Sequence, residues 1–435
     1  MSPHQSPSSA NSFTLQSMRF VRVFCFLLAL VPVSAFAQVP SAGSAGAEQD
    51  GKHSGAPLAQ FNAGPIVVTP TFRIGTLAVD TNVQYQRQRK ADFVASAGPG
   101  LDIALPFLDH WKLDILGSSE YYYFHRTKEL RRWTGGGTSS LFWRGTGTRV
   151  ALTGRLNRDF SRPSFEVDTR IASRQSLATL SLERDLGKLT LQALTSFSGM
   201  QVEDGQSFRG QDLVSALTTR RYHGTFELRF GLTPLTSLLS EVTYEETHFP
   251  NAAIRNFAQQ NVGLGILTNG LVKGRATAGL RRTALLNGHV SKSRPYFRAD
   301  LHQQLGKRLR LAERYANEST VSAFATDGEL PTFERRSIDV DLTIQLSSRI
   351  DMKIGGGQDK IQSDGLVRVV TDNGSIVRAR RDDVAYIGRS DVGMRLGRAR
   401  LSVFVTYTTR QSQFFQDFGI DGLQAGARVE YSPGR

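Results

Sequence analysis

The chain has 435 residues, with 53 Lys and Arg against 39 Asp and Glu, a formal charge of +14, and one cysteine, Cys25. A single cysteine excludes a disulfide framework and cysteine-based metal sites. No stretch after Ala37 is long and apolar enough for a transmembrane helix, which excludes a helical inner-membrane protein.

The first residues read as a targeting segment. Arg19 and Arg22 form a basic region, Val23 to Val33 is apolar, and Ala35-Phe36-Ala37 is an A-x-A site, so cleavage is expected before Gln38. The apolar run is too short to span a bilayer as a helix. Met18 is a second possible start, because the residues before it are polar. Loss of residues 1–37 removes Cys25 and leaves 51 basic residues against 39 acidic ones. A basic balance can signal nucleic acid, but export argues against that and favours lipopolysaccharide or acidic glycans as partners.

Residues 38–63 are rich in Ser, Ala, Gly and Pro and read as a flexible periplasmic leader. Pro65 to Arg73 reads as an extended segment packing in a barrel mouth. From Leu77 onward the hydrophobic period is two, with no convincing helical period. Val79, Thr81, Val83 and Tyr85 alternate with Asp80, Asn82, Gln84 and Gln86. Tyr222, Phe226, Leu228, Phe230 and Leu232 oppose His223, Thr225, Glu227 and Arg229. Ile338, Val340, Leu342, Ile344 and Leu346 oppose Ser337, Asp339, Asp341, Thr343 and Gln345. Leu401, Val403, Val405 and Tyr407 oppose Ser402, Thr406 and Thr408. The last segment, Leu423 to Tyr431, repeats the pattern and ends in an aromatic. Leu116, Leu239 and Phe404 fall on the polar register. Glu313 falls on the apolar one, which predicts a bulge or an early strand end there.

Short turns are expected at Pro106-His110, Gly145-Thr148, Leu186-Gly187, Thr233-Thr236, Asn269-Gly270, Gly306-Lys307, Ser347-Ser348 and Gly397-Arg398. Longer polar segments alternate with them, among them Phe160-Arg174, Gln201-Arg221, Thr320-Thr332 and Ser363-Asp382. Tight turns on one side and long loops on the other are the outer-membrane pattern. The expected fold is all-β: one transmembrane antiparallel up-and-down barrel over residues 64–435, with about 18 strands, 16 to 20 being the range. An even count puts both termini in the periplasm. The mean hydropathy of -0.26 fits, since half of each strand faces water. A soluble sandwich or propeller would also alternate. Its strands would be shorter and its inner faces apolar on both sheets. Aromatics at strand ends, such as Tyr121 to Phe124 and Phe142-Trp143, instead suggest an interfacial girdle.

Three stretches carry a resemblance. They are Pro70-Thr-Phe-Arg-Ile-Gly-Thr-Leu-Ala-Val-Asp-Thr-Asn-Val83, Asp92 to Leu105 with Gly98-Pro99-Gly100, and Arg162-Pro-Ser-Phe-Glu-Val-Asp-Thr-Arg-Ile171. In these the chain resembles a family of Gram-negative outer-membrane β-barrel proteins found beside exopolysaccharide synthesis genes. The resemblance implies a barrel, an outer-membrane location and a link to polysaccharide export, and it supplies no catalytic residue. The chain departs from the pattern at its end, where Ser-Pro-Gly-Arg follows Tyr431 in place of a terminal Phe.

The polar register places Arg155, Arg229, Arg275, Arg281, Arg298, Arg310, Arg314 and Arg428 in the lumen, with Glu227, Asp339, Asp341 and Glu430. Such residues either form a charged eyelet that selects solutes or pair across strands and stiffen the wall. The basic stretches Arg126–Arg132 and Arg378–Asp383 are expected to face outward, where they could meet lipopolysaccharide phosphates. No histidine stands in a recognisable hydrolase motif. His223 and His302 on the luminal register read as lining residues, and no enzymatic activity, cofactor or metal is expected. Gly135–Gly137 and Gly355–Gly357 read as close strand packing, not phosphate loops. The expected function is a passive porin-like channel for anionic solutes or exopolysaccharide. The alternative is a non-conducting barrel that binds glycan or lipopolysaccharide through its loops. Expected partners are outer-membrane lipid, lipopolysaccharide, the barrel-assembly machinery and an anionic polysaccharide.

Overall fold

The computed structural model describes residues 56–57, 61–84, 89–163, 166–167, 169–208, 210–324, 330–370, 375–397, 399–412 and 420–431. The targeting segment, its cleavage site and most of the leader lie outside these residues.

Eighteen long strands form the wall among the described residues. They begin with β1 (Ile66–Asp80), β2 (Asp92–Phe107), β3 (Trp111–Phe124), β4 (Arg132–Gly145), β5 (Thr148–Ser161) and β6 (Ile171–Leu186). There follow β7 (Leu189–Val202), β8 (Thr219–Thr233), β9 (Thr236–His248), β10 (Phe257–Asn269), β11 (Val272–Leu285) and β12 (Ser291–Leu305). The set ends with β13 (Leu309–Val321), β14 (Thr332–Gln345), β15 (Ile350–Ser363), β16 (Asp382–Leu396), β17 (Ala399–Ser412) and β18 (Ile420–Tyr431). Each strand pairs antiparallel with the next, and β18 pairs back onto β1 from Gln424 opposite Asp80 to Arg428 opposite Thr76. The ring therefore closes on itself, and each long strand has a paired neighbour on both sides over at least part of its length. Every short turn expected from the sequence joins an even strand to the following odd one, which defines a turn rim and a loop rim.

Alternation decides which way each side chain faces. Val262, Leu264 and Ile266 on β10 are 58%, 64% and 50% exposed on the outside, whereas Glu227, Thr277 and Asp351 point inward and are buried. Leu239 and Phe404, which break the pattern, are buried on the inner face. Phe404 has the Arg428 guanidinium 4.8 Å from its ring centre, which accounts for an aromatic there. Aromatics cluster near the rims: Phe107, Trp111 and Trp143 on the turn side, Tyr121 and Trp133 on the loop side.

Three expectations change. Pro65 to Arg73 is no mouth packing; it is mostly wall, since β1 runs unbroken from Ile66 and its Val67–Ile74 part pairs with β2. The edge of this part that β18 leaves uncovered is paired instead by Ala56–Pro57 and Phe61–Ala63. At Glu313 there is neither bulge nor strand end. β13 keeps register with β14 from Leu309 to Val321, and Glu313 stands in the outward register opposite Leu301 and Val340. One short helix, α1 (Leu213–Leu217), interrupts the β7–β8 loop. Asp212 caps it, and the bond from the Ser215 hydroxyl, with those from the Val214 and Ser215 N–H groups, holds its carboxyl below the usual range.

Candidate functional site in the lumen and its loop-side mouth

The inner wall is built from charge ladders. On β14 to β16, Arg389 donates Nε to Asp341 Oδ1 at 2.9 Å and Nη2 to Asp341 Oδ2 at 2.7 Å, and also bonds Asp339. A Cβ at Gly355 would lie 2.0 Å from Asp341 Oδ1 and 2.9 Å from Arg389 Nε, so the missing side chain is what gives the fork its room. Lower on the same wall, Arg400 donates to Asp351 at 2.6 Å and to Asp391. On another arc of the wall, Arg275 reaches Glu227 at 2.6 Å and also pairs with Glu241, while Arg229 pairs with Glu227 and donates to Gln192 at 2.6 Å. Bidentate and bridged geometry of this kind gives orientation as well as energy.

The luminal residues named from sequence thus differ in their partners. Arg229, Arg275, Glu227, Asp339 and Asp341 are paired across strands, and Arg314 stands 3.6 Å from Asp300. Among the described residues Arg155 donates only to the Thr138 hydroxyl at 3.2 Å, and Arg298 and Arg310 face the lumen exposed, with no ion pair to a described residue. Arg281 is buried and donates to Asn317 O at 3.0 Å. The Glu430 side chain lies outside the described residues. Sequence reading missed Arg389 and Arg400. Both lie on inward registers, and the alternation through β16 and β17 could have revealed them.

The loop rim is not an open mouth. The β5–β6 loop folds inward, and its Glu166 is fully buried. Glu166 accepts from Ala323 N at 2.7 Å and Ser322 Oγ at 3.0 Å, both on the β13–β14 loop. Arg381, at the end of the β15–β16 loop, lies 3.9 Å away. In an 18-stranded ring, β5 and β6 face β14 and β15, so the loops bridge a diameter of the mouth. The bridge has its own small apolar core: Val167, Leu213, Ala216 and Leu217 against Ala323, Phe324 and Val367. Arg255, from the β9–β10 loop, locks it by donating to Ala216 O at 3.3 Å and to Ser322 O.

This corrects the expectation that Arg378–Asp383 faces outward. Arg378 is exposed, but Arg381 and Asp383 are buried, paired to each other at 2.6 Å, with Arg410 3.9 Å from Asp383. Burial pushes the Glu166 carboxyl above its ordinary range, and Arg381 pulls it back only in part because its closer partner is Asp383.

His223 has its Nε2 2.9 Å from Thr225 Oγ1 and its Nδ1 3.5 Å from Glu245. That is the order of a hydroxyl–imidazole–carboxylate relay. β8 is, however, paired without a break with β7 and β9 around these residues, so no backbone N–H is free there to stabilise an oxyanion. His302 contacts Asp300 at 3.2 Å. No group of three metal-ligating side chains is found among the described residues.

No family model matches the chain. No curated protein matches it either. Among solved structures it is similar to the FrpB iron transporter from Neisseria meningitidis, at 11% identity and a TM-score of 0.46, covering 80% of this chain and 62% of that one. It thus spans less than two thirds of that transporter. It is similar to OpdO from Pseudomonas aeruginosa at 11% identity and a TM-score of 0.47, covering 83% of this chain and 96% of that one. A BenF-like porin from Pseudomonas fluorescens gives 11% identity and a TM-score of 0.46, covering 84% and 99%.

Proposed function

We propose that the chain is an outer-membrane barrel that conducts small solutes passively, with a preference for anions. The carrying observation is the two-sidedness of the closed wall. Its outer face presents exposed apolar side chains such as Val262, Leu264, Val403 and Val405, and its inner face presents ion pairs. Along the paired ladder the backbone groups are satisfied within the wall, so the outside can meet hydrocarbon while the inside stays wet. The paired charges hold the wall, and Arg155, Arg298 and Arg310 leave positive charge available to solutes. The loop bridge divides the mouth, which favours small solutes; an acidic polysaccharide would have to thread beside it. A targeting segment cleaved after Ala37 would deliver the chain to the barrel-assembly machinery.

A second reading keeps the barrel and drops conduction: the bridged loops would bind lipopolysaccharide or surface glycan. The buried core of the bridge favours it, because several loops are held in one fixed arrangement. Single-channel recording of refolded protein in a planar bilayer separates the two. Anion-selective steps reduced by an acidic oligosaccharide are expected. A correctly folded barrel without conductance would overturn the channel reading.

A further inference from the structure

The wall is unzipped in one place. β11 and β12 stay paired up to Ala284 opposite Ser291, and β13 and β14 up to Val321 opposite Thr332. Between β12 and β13 the ladder stops at Arg298 opposite Ala316. Above that point Ser291–Phe297 and Asn317–Val321 have no backbone pairing with each other, and Pro295 has no N–H to offer.

The two edges overlap. Leu285 and Phe257 stand in the inward registers of β11 and β10, yet they pack on Val321, which stands in the outward register of β13. Arg294, inward on β12, pairs with Glu334, outward on β14, and with Asp364 at 2.9 Å. Glu334 is 2% exposed, whereas Ile338, in the same register lower on the strand, is 48% exposed. The top of β13 and β14 is therefore tucked behind β11 and β12, and side chains rather than a ladder hold the joint.

At the foot of the joint lies Arg281. It is 4% exposed and donates to Asn317 O and Oδ1, at 3.0 and 3.4 Å, with no carboxylate partner among the described residues. Asn317 in turn donates to Pro295 O at 3.5 Å, so its amide fills the gap. Its hydrogen bonds go only to neutral oxygens; Asp364 and Glu318 act on it electrostatically from a distance but form no ion pair with it. Just below, toward the turn rim and on the outer face, Phe297 and Tyr315 stack at 5.2 Å and offer an apolar track.

We propose that this joint is a lateral site for a membrane-borne anionic amphiphile. Its phosphate or carboxylate displaces the Asn317 amide from Arg281, and its chain runs down over Phe297 and Tyr315 into the bilayer. Cation above and apolar track below match the orientation of an outer-leaflet lipid. Arg294 is committed to Glu334 and Asp364, which leaves Arg281 as the headgroup ligand. The proposal rests on the wall facing lipid but not on conduction.

Spin-labelled phosphatidylglycerol and phosphatidylcholine, each in phosphatidylcholine vesicles carrying the refolded barrel, supply the test. The wild-type protein should immobilise phosphatidylglycerol roughly tenfold more strongly, the equivalent of one charge-assisted hydrogen bond. Arg281→Gln should abolish the preference. A Pro295→Cys, Asn317→Cys pair in a chain begun at Gln38 should abolish it when oxidised and restore it when reduced, which decides the matter if Arg281→Gln fails to fold. Equal immobilisation of the two lipids, or a preference that survives both changes, overturns the proposal. Loss of the preference to inorganic phosphate at physiological concentration would make this a free-anion site and overturn the membrane source. Absence of conductance with the lipid preference intact would sink the channel reading alone.

Discussion

Glu166 and Arg381 stand 3.9 Å apart with no solvent access, although their loops leave the wall on opposite sides of the ring. Their meeting carries a pH dependence. Burial raises the Glu166 carboxyl from its ordinary 4.5, so the bridge favours the protonated form. The sign follows: this contribution to the bridge is complete below the ordinary value and is lost as pH rises through the raised one. Open-channel noise and protease cutting in residues 162–170 should therefore increase with pH over that window, and Glu166→Gln should flatten both profiles. A profile that survives the substitution would place the titrating group elsewhere.

The fork between Arg389 and the pair Asp339 and Asp341 makes a second prediction. Arg389→Ala leaves two carboxylates on adjacent inward positions of one strand without their shared cation. The cost should be about 1.5–3 kcal/mol, the worth of hydrogen bonds to a charged group. A denaturant titration followed by gel mobility measures it. Adding Asp341→Asn should restore part of the loss, because the repulsion goes with the charge.

The uncommitted cations behave differently. Arg298→Gln and Arg310→Gln break no ion pair with a described residue, so stability should stay within about 0.5 kcal/mol. Reversal potentials in a salt gradient should nevertheless move toward cation permeability, and most in the double variant. Unmoved potentials would show that selectivity is set at the loop bridge.

The register can be tested by charge. Val405→Lys places an ammonium in the outer face and should cost about 2–4 kcal/mol if near the bilayer midplane, with a matching loss of folded protein. Thr406→Lys, one residue on, points into the wet lumen opposite Arg389 and Gln424 and should assemble normally.

Much of the wall was legible in the sequence because a strand records its two environments locally: Val403, Val405 and Tyr407 face out while Ser402 and Thr406 face in. The period of two marks out about 18 strands, in a range of 16 to 20, and separates the two faces of each strand. The bridge left no such trace. Glu166 touches residues more than 150 positions away, and a loop that packs on other loops has no period to display. The lapped joint was hidden for a related reason. Leu285, Val321 and Glu334 obey alternation perfectly, and only the missing rungs between β12 and β13 show that their two faces meet. Pro295 was the one local hint.

The bridge has a mechanical consequence. A ring of strands is softest toward flattening into an ellipse, and a rigid strut across one diameter resists that motion along its own axis. Here the strut spans the loop rim only, while the opposite rim is joined by turns of a few residues. The barrel should then deform like a cup braced at its lip. Fluctuations in cross-section would concentrate at the turn rim, and thermal softening should begin there, far from the loops that a surface ligand would meet.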